Sequence, residues 1–242
     1  MTETTILETT TADGPMAIVC AAPTSDPIGR IVIFQDAPGI RPSLHAFAST
    51  LAEAGYEVAL PDLWHRHGRL IGYEAADMAA DPSKRAHLGE LLATFDDDQV
   101  RMDFDAAVAA KGWEQEPLAV IGFCMGARSV HRALTDRPDQ VVAGAMWHPS
   151  FLADDSDSSP HVTAAGLGQP LYIGIGDADQ VQSLAMHKRY LDAVADLDHV
   201  QLHVFAGADH GFTWPTSPNY HEEAATTSFA ETTRIFGAAF EA

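Results

Sequence analysis

The stretch Leu118-Ala119-Val120-Ile121-Gly122-Phe123-Cys124-Met125-Gly126 decides the fold. Its four leading apolar residues read as a buried strand, and the Ala/Arg/Leu-rich segment after Gly126 has helical spacing. Between them, G-x-C-x-G is the pattern of a nucleophile elbow, a sharp strand-to-helix turn that exposes one reactive atom. The flanking glycines are needed because side chains there would collide with neighbouring backbone. The first N–H groups of the helix point at the turn. There they stabilise a thiolate, and one can also hold the oxyanion that forms when it attacks a carbonyl. Cysteine is also among the most buried residue types, so the five residues alone fit a structural role equally well.

An acid and a base in the right order separate the two readings. The apolar run Leu171-Tyr172-Ile173-Gly174-Ile175 ends in Gly176-Asp177-Ala178-Asp179, and Gln201-Leu202-His203-Val204-Phe205 ends in Gly207-Ala208-Asp209-His210-Gly211-Phe212. Nucleophile, acid and histidine thus follow one another, each on a loop after a strand, as in α/β-hydrolases. His210 would approach Cys124 as general base, and Asp179 would hold the other ring nitrogen and support the imidazolium. Asp177, beside Gly176, reads as a turn residue but stays open as the alternative acid.

With these residues in hand, the chain resembles the dienelactone hydrolase (carboxymethylenebutenolidase) family. The landmarks are Gly122-Phe123-Cys124-Met125-Gly126, the Gly176 to Asp179 turn, His210-Gly211-Phe212, Gln35-Asp36-Ala37-Pro38-Gly39 and Pro61-Asp62-Leu63-Trp64, spanning about residues 30–215. The resemblance implies an α/β-hydrolase fold and a Cys124, His210, Asp179 triad acting on lactones or small esters without a cofactor. It also implies an oxyanion hole built from the backbone N–H groups of Ala37 and Met125.

Two departures bear on the substrate. Where known members of that family carry a Glu beside the resting thiol, this chain has Asp36, the expected thiol-poising acid. Where they carry an arginine four residues after the catalytic histidine, it has Trp214; Arg85 is the candidate second cation. Phe123, Arg85 and Trp214 are the expected substrate-binding residues. Exchanging a cation for an indole turns the expectation towards less charged, more apolar substrates.

The rest of the chain alternates strand and helix. Residues 4–11 and 16–22 read as a hairpin about Asp13-Gly14; 30–34, 57–60, 118–123, 141–147, 171–176 and 201–206 as strands; and 43–54, 98–111, 125–135, 183–197 and 220–240 as helices. This rhythm predicts a mostly parallel sheet with helices on both faces, in one domain of residues 1–242, its carboxyl edge forming the ligand crevice. Residues 64–95, without a clear strand, are expected to form a cap or lid, and residues 149–169 an irregular loop.

Composition excludes several function classes. The formal charge of −20, from 34 acidic against 14 basic residues, repels nucleic acid and anionic membranes. Two cysteines argue against a disulfide scaffold, and Cys20 within Met16-Ala17-Ile18-Val19-Cys20 reads as a core residue. Asp96-Asp97-Asp98 is read as a helix cap, and His65-Arg66-His67 lacks further ligands for a metal. The expected location is the cytoplasm, the partner a small-molecule substrate, and the state a monomer or small homo-oligomer. The alternative function is a non-hydrolytic member of the same fold that binds a ligand or senses oxidants through Cys124.

Overall fold

In the computed structural model, which describes residues 2–242, the chain opens with a hairpin of β1 (Thr5–Thr11) and β2 (Gly14–Ala21). The turn closes at the pair Thr11 and Gly14, where Gly14 takes a φ of +123°. Then follow β3 (Gly29–Phe34), α1 (Pro42–Glu53), β4 (Tyr56–Pro61), α2 (Ala75–Ala80), α3 (Pro82–Leu92), α4 (Asp97–Lys111), β5 (Leu118–Phe123) and α5 (Gly126–Asp136). The chain ends with β6 (Val141–Trp147), α6 (Pro160–Thr163), β7 (Leu171–Gly176), α7 (Leu184–Val194), β8 (Val200–Phe205) and α8 (Glu222–Glu241). The strands form one sheet in the order β1-β2-β4-β3-β5-β6-β7-β8. Pairs β1–β2 and β2–β4 are antiparallel and every later pair is parallel, so the doubly covered, mostly parallel sheet of an α/β-hydrolase is the architecture found.

The period-two alternation of a strand divides the core between the faces. Val32, Phe34, Val120, Met146 and Ile173 pack on one face with α4, α5 and α7; Ile31, Ile33, Ile121, Ala145 and Tyr172 pack on the other with α1 and α8. That both faces are buried explains why these strands read as continuous apolar runs. It also settles where the elbow residues go. Phe123 falls on the second face, inside a cluster with Phe47, Trp147 and Trp214, while Cys124 falls on the first.

Residues 64–95 hold two helices. Asp81 caps α3 by accepting from Ser83 N at 3.0 Å, and Pro82 occupies its first turn. Just before α2, Ile40 N donates to Ile71 O (3.0 Å) and Tyr73 N to Pro38 O (2.9 Å), stitching residues 71–73 to the loop after β3. Glycines at 39 and 72 allow that approach, since a side chain on either would strike the carbonyl of the opposite strand. Asp96 caps α4 through Gln99 N at 3.0 Å, and Gly112, at φ +69°, closes it. His65 meets Asp103 and the Pro15 carbonyl. Cys20 lies in β2, its Sγ 3.7 Å from the Ile18 carbonyl.

Candidate active site

The parallel strands deliver their loops to one edge, and the elbow after β5 is central. Cys124 has φ +52°, a left-handed conformation that costs a residue with a side chain about 1–3 kcal/mol and is found where a site over-determines it. Its glycines are explained by contact. A Cβ on Gly122 would strike the Gly126 carbonyl, and one on Gly126 would strike the Phe34 and Gln35 carbonyls at the end of β3. The turn after β5 therefore lies directly against the loop that carries Ala37. Among the described residues, the N–H groups of Ala37 and Met125 have no protein acceptor. The helix begins at Gly126, one residue later than its spacing suggests, with Met125 as cap.

The loops after β7 and β8 bring the acid and the base together. His210 Nδ1 lies 2.7 Å from Asp179 Oδ2, and Asp179 Oδ1 accepts from Val181 N (2.8 Å) and Gln182 N (2.6 Å). Burial pushes the Asp179 pKa up, but the hydrogen bond and charge of His210 together with those two amides bring it below the usual carboxylate value, so Asp179 is the acceptor and Nδ1 carries the proton. Asp177 is exposed and instead accepts from Gly207 N at 2.7 Å, tying the β7 turn to the end of β8. Asp209 does similar work through Gln180 N and His210 N. Burial alone would lower the His210 pKa; attraction to Cys124 and the bond to Asp179 outweigh it and raise it to about 10. The Nε2 atom is buried without a hydrogen bond, and Cys124 is the strongest attractive influence on the ring.

Asp36 is engaged elsewhere. Both its oxygens accept from Arg41, at 2.5 and 2.8 Å, and Trp214 Nε1 adds a third bond to Oδ2 at 3.0 Å. Among the described residues no hydrogen bond links Asp36 to Cys124. The expected thiol-poising contact is thus absent from this arrangement, because a buried carboxylate beside a buried guanidinium is satisfied by it first. Arg41 also donates to the Gly39 carbonyl, lies 3.7 Å from Glu74 and stacks 4.8 Å from the Trp214 ring centroid. Glu74 in turn accepts from Ser43 N, Ser43 Oγ and Thr216 Oγ1.

The thiol meets Ser150. Cys124 Sγ and Ser150 Oγ are 3.4 Å apart, Ser150 N donates to the Cys124 carbonyl at 2.8 Å, and Ser150 is 1% exposed. His148, two residues earlier, is fully buried at φ +39° with both ring nitrogens unbonded, its ring edge-on to His210 at 5.0 Å. Burial, and then the charge of His210, keep it neutral. Sequence reasoning missed Arg41, His148 and Ser150. The one available signal for the last two was a polar pair placed directly after β6, the neighbour of the elbow strand.

Asp36, Ala37, Arg41, Cys124, His148 and His210 border a cleft of about 520 Å³, a size suited to a small organic molecule. Cys124, His148 and His210 lie on its floor, and Tyr73, Met78, Leu88 and Leu92 from residues 64–95 form one wall. Trp214 and Arg85 also line it, Arg85 exposed and without an ion pair among the described residues. Phe123 does not reach it, because the last residue of β5 points to the opposite face of the sheet.

Known proteins resemble this chain in fold and, separately, in sequence. A candidate dienelactone hydrolase from Klebsiella pneumoniae superposes with a TM-score of 0.80 over 96% of this chain and 98% of its own, at 24% identity, a likeness of fold alone. A candidate carboxymethylenebutenolidase of Methylorubrum extorquens is 28% identical over 207 residues, 82% of this chain and 68% of that one. The carboxymethylenebutenolidase of Rhodococcus opacus is 32% identical over 113 residues, 47% of this chain and 41% of that one. Sequence agreement with the family as a whole runs from residue 16 to residue 240, nearly from end to end, and on that ground the chain belongs to the dienelactone hydrolase family of α/β-hydrolases.

Proposed function

We propose that this protein hydrolyses small, uncharged esters or lactones, with Cys124 as nucleophile, His210 as general base and acid, and Asp179 as the residue that orients His210. The observation that carries the reading is the 2.7 Å bond between Asp179 and His210 Nδ1, which leaves Nε2 to serve a thiol on a left-handed turn. The thiolate attacks the carbonyl carbon while the N–H groups of Ala37 and Met125 hold the developing oxyanion. Collapse of the tetrahedral intermediate breaks the ester C–O bond, and His210 protonates the departing alkoxide. Water activated by His210 then cleaves the thioester. Because a thiolate leaves as readily as it attacks, an intermediate with a poor leaving group such as an amine collapses backwards, so esters, lactones and thioesters are favoured over amides.

The preference for uncharged substrates rests on Arg41, whose charge is already balanced by Asp36 and Glu74. The whole chain acts as one domain in this reading, with residues 64–95 as the lid of the cleft, and no cofactor takes part. No helix among the described residues is long and apolar enough to cross a membrane. We assign the protein to the cytoplasm, as a monomer or small homo-oligomer. The test is hydrolysis of a panel of short-chain aryl esters and lactones by wild type, by the thiol-alkylated protein and by Cys124→Ala. Turnover lost in the last two supports the proposal. Retention of more than about a tenth of kcat in Cys124→Ala removes Cys124 from the mechanism, and alkylation without any wild-type turnover favours a ligand-binding or oxidant-sensing role.

A further inference from the structure

We propose that Ser150 is the residue that holds the sulfur of Cys124 between turnovers, donating a hydrogen bond from its hydroxyl to the thiolate. The inference rests on the reading of Cys124 as the nucleophile. Three observations carry it. The Sγ to Oγ distance is 3.4 Å, and among the described residues that hydroxyl has no other partner. Ser150 is held in place by its own backbone, which donates to the Cys124 carbonyl at 2.8 Å, while Cys124 N donates to Trp147 O at 3.2 Å, so the loop after β6 is laced to the elbow at both ends. The carboxylate that the family resemblance would put in this role, Asp36, has its oxygens taken by Arg41 and Trp214.

The exchange of a carboxylate for a hydroxyl changes what the resting site can hold. An ionised carboxylate only accepts, so beside sulfur it favours the protonated thiol and repels the thiolate. A hydroxyl accepts from S–H or donates to S⁻, and a donated bond to an ionised acceptor is the stronger of the two. Ser150 therefore lets the sulfur rest in its reactive charge state. Burial strengthens the bond, because Ser150 and Cys124 are only 1% and 8% exposed and the pair meets little competing water. The charged and titratable groups around the sulfur are His210 from the turn after β8, His148 from the loop after β6, and Arg41 with its partner Asp36 from the loop after β3. Ser150→Ala removes one oxygen and alters none of them.

The experiment is the rate of Cys124 alkylation by iodoacetamide as a function of pH in wild type, Ser150→Ala and Ser150→Thr. Cys20 is counted separately by peptide mass, and urea unfolding serves as the check on folding. The alkylation midpoint of Ser150→Ala is expected to move up by about one to two pH units, the equivalent of a hydrogen bond to a charged atom, with the threonine variant lying near wild type. An unmoved midpoint in a folded Ser150→Ala overturns the proposal, as does an alanine variant that changes KM alone. Because alkylation needs no ester, a shifted midpoint in a protein that hydrolyses nothing would leave this inference standing while removing the hydrolase reading. Hydrolysis with an unmoved midpoint would do the reverse.

Discussion

Arg41 and Asp36 face each other across one loop as a bidentate ion pair, with N···O distances of 2.5 and 2.8 Å and 4% side-chain exposure on each. A pair this far from water is dangerous to break by halves, because the remaining charge stays buried without its partner. Arg41→Met is expected to cost about 3–5 kcal/mol in urea unfolding, and the double variant Arg41→Met/Asp36→Asn less than the sum of its single changes. Strict additivity would mean that the two side chains do not act as a unit.

The two acids of the β7 loop are expected to part company in kinetics. Asp179→Asn removes the charge that supports the imidazolium and offers Nδ1 an amide of uncertain orientation, so kcat should fall by about a hundredfold or more, against a few-fold at most for Asp177→Asn. The pH profile gives a second reading. His210 is held up to about 10 partly by Asp179, so in Asp179→Asn the alkaline limb should move to lower pH. Equal losses in the two variants would hand the role to neither.

His131 on α5 supplies a test of acid stability away from the cleft. It is fully buried between Tyr190 and Thr163, and desolvation, helped by Arg132 and Arg128, lowers its pKa from 6.5 to about 3. Below pH 6.5 the unfolded chain takes up a proton that the folded one refuses, so stability drains away as the pH falls towards 3, by about 1.4 kcal/mol per unit, and is untouched above 6.5. In His131→Gln the loss between pH 6.5 and 5, followed by urea unfolding, should be smaller than in wild type by about 2 kcal/mol. Identical pH dependence in the two proteins would exclude His131 as a source of acid lability.

Substrate charge is expected to be read against a wall without a spare buried cation. A neutral ester should exceed its carboxylate-bearing analogue by about ten- to a hundredfold in kcat/KM, and Trp214→Arg should narrow that gap. Arg85→Ala tests the exposed cation on the other side of the cleft. If wild type prefers the anionic ester and Arg85→Ala loses that preference, Arg85 is the anchor.

Gly126→Ala probes the spacing of the two proposed oxyanion donors. Its Cβ would press on the Phe34 carbonyl and come within 2.7 Å of Gln35 O, driving the elbow away from the loop of Ala37. Kcat is expected to fall by about a hundredfold or more with KM little changed, the mark of a contact made only in the transition state. A rise in KM at constant kcat would point to a distorted cleft instead.

What could be read from sequence follows the range of the signal. Cys124 and Asp179 stand within a few residues of buried strands and His210 five residues after the half-exposed β8, where apolar runs, glycines and chain order carry the information locally. Ser150 is defined by a partner on another element, Cys124, and Trp214 by Asp36, 178 residues away, a distance at which pattern says nothing. Phe123 lies one step of the pleat from Cys124 and therefore faces away from the cleft, since neighbours along a strand point to opposite faces. Asp36 is legible as an acid on the loop after β3, but the guanidinium that claims it comes from a position that reads only as a polar residue before Pro42. Residues 64–95 hid two helices because α3 shows no amphipathic stripe and only Leu91 within it is buried.

The stitch between residues 71–73 and 38–40 makes access and competence the same event. Any outward swing of residues 71–74 that admits a guest pulls on Pro38 and Ile40, hence on the Ala37 amide between them and the elbow. On the proposed mechanism, an ester too bulky to let that segment return would sit beside the sulfur with the Ala37 half of the proposed oxyanion hole displaced, occupying the cleft without being cut. On that mechanism size exclusion would need no steric gate at the entrance: a molecule that wedged the stitch open would disarm the site that holds it, and would behave as an inhibitor made from an oversized substrate.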